Sequence, residues 1–126
     1  MTQTEKELLL RDLCARLPYE VKVQYKDDIF TIDYISGIYE EIKLDTPDRY
    51  TIDISEVKPY LFPFSSMTDA EKEEYCQLQQ RVIYNSKGPV NEDVTKYINW
   101  CYKKHLDVNN LIPIGLAIDA ANLNLY

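Results

Sequence analysis

Apolar and polar residues alternate along this chain with two periods, and the changes of period divide it. Leu9, Leu10, Leu13, Cys14 and Leu17 recur at helical spacing behind a Thr4-x-x-Glu7 capping box. This predicts a helix over 4–17, stopped by Pro18, which lacks an N–H and restricts Leu17. From Val21 the period drops to two: Val21, Val23 and Tyr25 alternate with Lys22 and Gln24. The same alternation predicts strands at 21–25, 29–35, 38–44 and 50–55, with turn chemistry at Lys26–Asp28, Ser36–Gly37 and Asp45–Asp48. Phe30, Ile32 and Tyr34 are expected on one face, Thr31 and Asp33 on the other. Short turns between such runs predict an antiparallel meander.

Helical spacing returns at Thr68, whose hydroxyl and Glu71 form a second capping box. The predicted helix, 68–84, carries Tyr75, Leu78 and Val82 inward, with Cys76 and Ile83 beside them, and stops at Asn85–Pro89. A third helix is predicted over 92–106. Glu92 and Asp93 in its first turn and Lys103, Lys104 and His105 in its last match the helix dipole. Its apolar stripe is Val94, Tyr97, Ile98, Cys101 and Leu106. Residues 107–126 read as an irregular tail whose end, 122–126, is expected to fray.

Between the two regimes lies Val57–Phe64. Pro59 and Pro63 argue against a central strand there, yet Tyr60, Leu61, Phe62 and Phe64 are too apolar for a solvated linker. An extended arm over 57–64 follows, either buried on the sheet or a helix, or exposed as a docking strip. Tyr60, Phe62 and Phe64 are therefore the candidate interaction surface. The whole chain, 1–126, reads as one α+β domain: an N-terminal helix, an antiparallel sheet of about four strands, the Pro/aromatic arm, and two C-terminal helices packed on one sheet face.

Composition changes this picture little. A chain of 126 residues can bury one core without staples. The net charge of −7 is uneven: Glu20 to Glu56 holds ten acids and four bases. Direct nucleic-acid binding is disfavoured by that sign; the charge is compatible with an unknown, basic protein partner, but its first reading is that it keeps the protein soluble. The outward positions of the strands (Lys22, Gln24, Thr31, Asp33, Glu41, Lys43, Thr51, Asp53) are of mixed sign, which argues against imitation of nucleic acid. Cys14, Cys76 and Cys101 form no C-x-x-C pair and are expected as buried thiols of a reduced, cytoplasmic protein. The first residues are polar, and no apolar run reaches membrane-spanning length.

Candidate chemistry is sparse. Cys101 and His105 stand four apart, half of a metal site, but no second Cys/His pair completes it. His105 is better read as a charge at a helix C-terminus, and Cys101 as an inert thiol in an apolar stripe. The pairs Asp27–Asp28 and Glu40–Glu41 alternate faces in a strand and need not converge. No catalytic, metal or cofactor residue is assigned. The preferred reading is a non-enzymatic protein-binding accessory domain. The alternatives are a small-molecule or nucleotide-binding protein or enzyme with a Tyr/Asp-lined pocket, and an acidic inhibitor of a nucleic-acid-binding protein.

Three blocks carry a resemblance: Glu7–Tyr19, Val57–Glu73 and Leu111–Ala117. They are similar to blocks in small uncharacterised proteins of gut anaerobic bacteria, their prophages and mobile elements. The resemblance implies an accessory role of such origin and supplies no site residues. The chain departs from that pattern at Phe62 and Phe64, where Arg and Met are common, and in its tail, Ile118–Tyr126.

Overall fold

The computed structural model describes residues 1–47, 50–84 and 91–126. The elements are α1 (Gln3–Arg16), β1 (Lys22–Tyr25), β2 (Asp28–Ser36), β3 (Glu41–Leu44), β4 (Ile52–Asp53), β5 (Val57–Leu61), α2 (Asp69–Tyr84), α3 (Asn91–Lys103) and β6 (Ile118–Asp119). Among the described residues the strands form one sheet in the order β4-β3-β2-β1-β5-β6. Every pairing is antiparallel except β5 with β6. Both edge strands have two residues, so little unpaired backbone is offered to other chains.

The expected α+β class holds, but several details differ. The capping box at the start of α1 uses Thr2 and Glu5, not Thr4 and Glu7. Glu5 N–H donates to Thr2 Oγ1 at 3.1 Å, and Thr2 N–H donates to Glu5 Oε1 at 3.0 Å. The sequence offers two Thr-x-x-Glu registers, and the earlier one lets Gln3 and Lys6 reach Glu40 and Asp53. In β2 the pairing register shifts between Ile32 and Tyr34, so Asp33 is an extra residue. This bulge turns Tyr34 to the solvent face, opposite Lys43 and 54% exposed. Strand β3 starts only at Glu41, which leaves Ile38 and Tyr39 in the turn.

The arm at 57–64 is largely a strand. β5 lies between β1 and β6, although it contains Pro59. The carbonyl of Leu61 faces β6, where it accepts from Ala120 N–H at 2.8 Å. By alternation the nitrogen of Pro59 faces the same side, beyond the point where β6 begins at Ile118. No ladder bond is therefore lost at Pro59, which is how a proline sits in an interior strand. The tail, expected to be irregular, contributes β6.

One face of the sheet is covered by Leu9 and Leu13 of α1 and by Leu111, Leu116 and Ala117. These pack on Val21, Val23, Ile42, Leu44, Ile52, Ile54, Val57 and Leu61. Each large aliphatic side chain so buried stabilises the fold by roughly 1.5–3 kcal/mol. The segment 111–117 is shaped by Asp107, a buried carboxylate that accepts from Leu111 N–H at 2.7 Å and Ile112 N–H at 3.0 Å. Gly115 closes the turn at φ +79°, which a side chain would strain.

The two later helices were expected on this face, yet among the described residues neither adds a side chain to the core cluster. The sheet face is already filled by α1 and 111–117, so α2 packs chiefly on α3, which in turn touches α1. A separate aromatic cluster joins them: Tyr75 stands 5.6 Å from Phe64 and from Tyr97, and 6.1 Å from Trp100, centroid to centroid. The hydroxyls of Tyr75 and Tyr97 share a 2.8 Å hydrogen bond. Burial and that bond hold the Tyr97 phenol well above its ordinary range. The capping box at Thr68 and Glu71 forms as the sequence predicts, with bonds of 3.2 and 3.0 Å. The helix stop expected at Asn85–Pro89 lies outside the described residues, as does part of the turn at Asp45–Asp48.

No helix among the described residues is long and apolar enough to cross a membrane.

Candidate functional site

Two surfaces concentrate unusual side chains. The first is the end of the sheet where the β2–β3 turn meets the start of α1. Ile38 is 88% exposed and Tyr39 72% exposed at the tip of that turn. Local bonding fixes the tip: Tyr39 N–H donates to Ser36 Oγ at 3.3 Å, and Ile54 N–H donates to the Glu40 carbonyl at 2.9 Å. Acids surround its base. Gln3 donates to both carboxylate oxygens of Glu40. Glu41 pairs in register with Asp53, and Asp53 N–H donates to Glu56 Oε2 at 3.2 Å. Lys6 offsets part of this charge through Asp53, at 3.2 Å. The Ser55 hydroxyl and N–H, with Lys6 behind them, hold the Asp53 carboxyl below its ordinary range. Glu5 is held low in the same way by Thr2. The charges of Asp53 and Glu5 therefore persist into mild acid.

The second surface is a cleft of about 480 Å³, in the size range of small-ligand sites. Its walls are Phe62, Ser66, Met67 and Thr68 after β5, Glu71 of α2, Lys103–Leu106 at the end of α3, and Tyr126. Tyr126 is the hub. Its hydroxyl accepts from Lys22 N–H at 2.8 Å and donates to the Tyr60 carbonyl at 2.8 Å. It thereby bridges β1 and β5 with a side chain just beyond their last paired residues. Enclosure between the strands pushes the phenol up to about 12, while the residue as a whole is 43% exposed. The expected fraying of 122–126 is thus overturned at Tyr126.

His105 backs this ring, stacked at 3.7 Å between centroids and 18° between planes, and Phe62 meets its edge at 5.6 Å. His105 reaches this position because α3 ends in a left-handed cap. Leu106 N–H donates to the Cys101 carbonyl and His105 N–H to the Tyr102 carbonyl, with His105 at φ +57°. That place is ordinarily glycine or asparagine, and an L side chain there costs roughly 1–2 kcal/mol. The cap also takes His105 off the helical face, so the half-site with Cys101 does not form. Among the described residues no group of acids, histidines and cysteines converges as a metal site. Burial, reinforced by the charges of Arg16 and Lys22, pushes His105 down to about 4. It is neutral at neutral pH, which corrects its reading as a charged dipole partner. Burial pushes the Cys101 thiol up to about 11, and Cys14 and Cys76 are exposed rather than buried.

The three residues singled out in the arm separate. Tyr60 is buried in β5, at 5% exposure. Phe62 is half-buried and lines the cleft. Phe64 is half-buried against Tyr75. They do not form a continuous strip. Neither the tip at Ile38–Tyr39 nor the role of Tyr126 was read from the sequence. Two adjacent apolar residues following a Ser-Gly turn signal was the available clue to the tip; for Tyr126 no local signal existed.

No protein-family model matches the chain, and neither the curated proteins nor the solved structures include a match to it.

Proposed function

We propose that this chain is a non-enzymatic accessory protein that binds a basic protein partner at the acidic end of its sheet. The observation that carries this reading is the pair Ile38 and Tyr39, 88% and 72% exposed inside a collar of Glu40, Glu41, Asp53 and Glu56. An isoleucine and a tyrosine held on a braced turn are suited to insert into a partner, where a few central residues carry most of the binding energy. The collar would steer a basic surface and select against an acidic one. The protonation chemistry of the described residues supports a binding role, since the buried thiol of Cys101 and the neutral His105 are not poised for acid–base or nucleophilic work. The resemblance of three blocks to phage and mobile-element proteins fits an accessory role.

The test is affinity capture from a lysate of the source organism with wild type, an Ile38→Ser/Tyr39→Ser double variant and a Glu40→Lys/Glu41→Lys double variant, side by side. A basic protein held by wild type and lost from both variants is the expected result. A partner held equally by all three would place the interface elsewhere and end this proposal.

A further inference from the structure

The cleft at Tyr126 has a charge opposite to that of the protein as a whole. The chain carries −7, yet Lys103 and Lys104 stand in the cleft wall, and the Lys22 ammonium lies 5.9 Å from the Tyr126 ring centroid. Among the described residues of the wall, Glu71 is the acidic side chain, and it accepts from Thr68 N–H as a helix cap while keeping its charge. The rest of the wall mixes apolar and polar side chains: Phe62, Met67, Leu106 and Tyr126 with Ser66, Thr68 and His105.

That ring is also held rigidly. Exposed tyrosines ordinarily rotate, and ordering them on binding is costly. Tyr126 is fixed beforehand by two backbone hydrogen bonds to its hydroxyl and by the His105 ring stacked behind it. His105 is itself held in a left-handed backbone conformation that glycine would occupy more easily. A pre-formed aromatic ring with the Lys22 ammonium near it, in a wall that also holds Lys103 and Lys104 (the Lys104 ammonium 5.9 Å from the Trp100 ring centroid), suits one class of ligand. The π-face stacks a second flat ring, and the lysines take a negative group attached to it.

We infer that this cleft is a binding site for a planar aromatic molecule bearing an anionic group, stacked on Tyr126 with its anion at Lys103 and Lys104. This site is separate from the acidic tip, and its ligand differs in class from the protein partner assigned there. The shared chemistry fits a mononucleotide or an aromatic carboxylate, and the experiment distinguishes the two sources.

The full chain, labelled with ¹⁵N, is titrated with adenosine 5′-monophosphate and with indole-3-acetate while amide shifts are followed. Adenosine, indole-3-acetamide and inorganic phosphate serve as controls lacking either the charge or the ring. At least one anionic probe is expected to shift the amides of Phe62, Lys104, His105 and Tyr126, and its uncharged counterpart and phosphate to bind roughly tenfold more weakly or less. Which probe binds identifies the source. The Lys103→Gln/Lys104→Gln variant alters one exposed and one half-buried side chain outside the core cluster, and is expected to keep the fold and lose roughly tenfold in affinity. Tyr126→Leu removes the platform and is expected to abolish binding; if it fails to fold, the lysine variant decides. No shift with either anionic probe, equal binding by the lysine variant, or phosphate alone binding as tightly would each overturn the inference.

Discussion

Single residues hold this fold at places that neither pattern nor propensity marks. Asp12 and Arg16 are fully buried on α1, paired at 2.7 Å. Arg16 also donates to the Leu106 carbonyl at 2.6 Å, and its guanidinium lies 4.9 Å from the Tyr102 ring centroid. Asn109 donates to Asp12 at 2.8 Å. The pair thus clamps the first helix to the loop after α3. Replacing Arg16 by Met strands a buried carboxylate and is expected to cost about 3–5 kcal/mol in denaturant unfolding. Adding Asp12→Leu removes the stranded charge, so the double variant is expected to be more stable than Arg16→Met alone. In the sequence the two residues have the spacing of an i,i+4 acid–base pair, which is ordinarily solvated, and no local signal marks this one as buried. His105 gives a pH signature. Its folded value, about 4, lies below the ordinary 6.5, so the unfolded chain binds the proton more readily. Stability from this group is complete above about 6.5 and falls as pH drops toward 4. Urea titrations across that window are expected to show the slope in wild type. His105→Asn, which tolerates the left-handed backbone, is expected to lose it.

At the scale of elements, the alternation in β1 and β2 and the capping box at Thr68 were legible because they are local. Thr68→Ala removes a cap bond and is expected to cost about 1 kcal/mol in thermal unfolding. β5 was misread for a physical reason. A proline bars a ladder bond only on the side its nitrogen faces, and local sequence does not say whether a neighbour stands there. The placement of α2 was equally undetermined. Its half-buried stripe of Tyr75, Leu78 and Val82 needed some partner, and that partner is α3 rather than the sheet. With no described α2 side chain in the core cluster, α2 is expected to open locally. Amide exchange should therefore proceed in α2 by sub-global opening, while β1 and β5 exchange only with global unfolding.

The whole molecule separates its charge: an acidic, apolar-tipped end at Ile38–Tyr39 and a lysine-flanked aromatic cleft at Tyr126. If the acidic end meets a basic partner, the association rate should fall steeply as salt rises through the range where the Debye length is about 10 Å, and dissociation should change little. Stopped-flow mixing at several ionic strengths measures both. By itself the sequence determined what depends on neighbours within a few residues: the alternation of β1, the helix start at Thr68, the acidic bias of 20–56 and the α+β class. Tertiary structure decided what depends on residues far apart. It set a proline strand between β1 and β6, flipped Tyr34 outward through one extra residue, and buried an ion pair. It also brought residues 22, 60, 105 and 126 together around one phenol. The reason is common to all four: each turns on which groups remain unpaired after the sheet and α1 have packed, and only the packed chain establishes that.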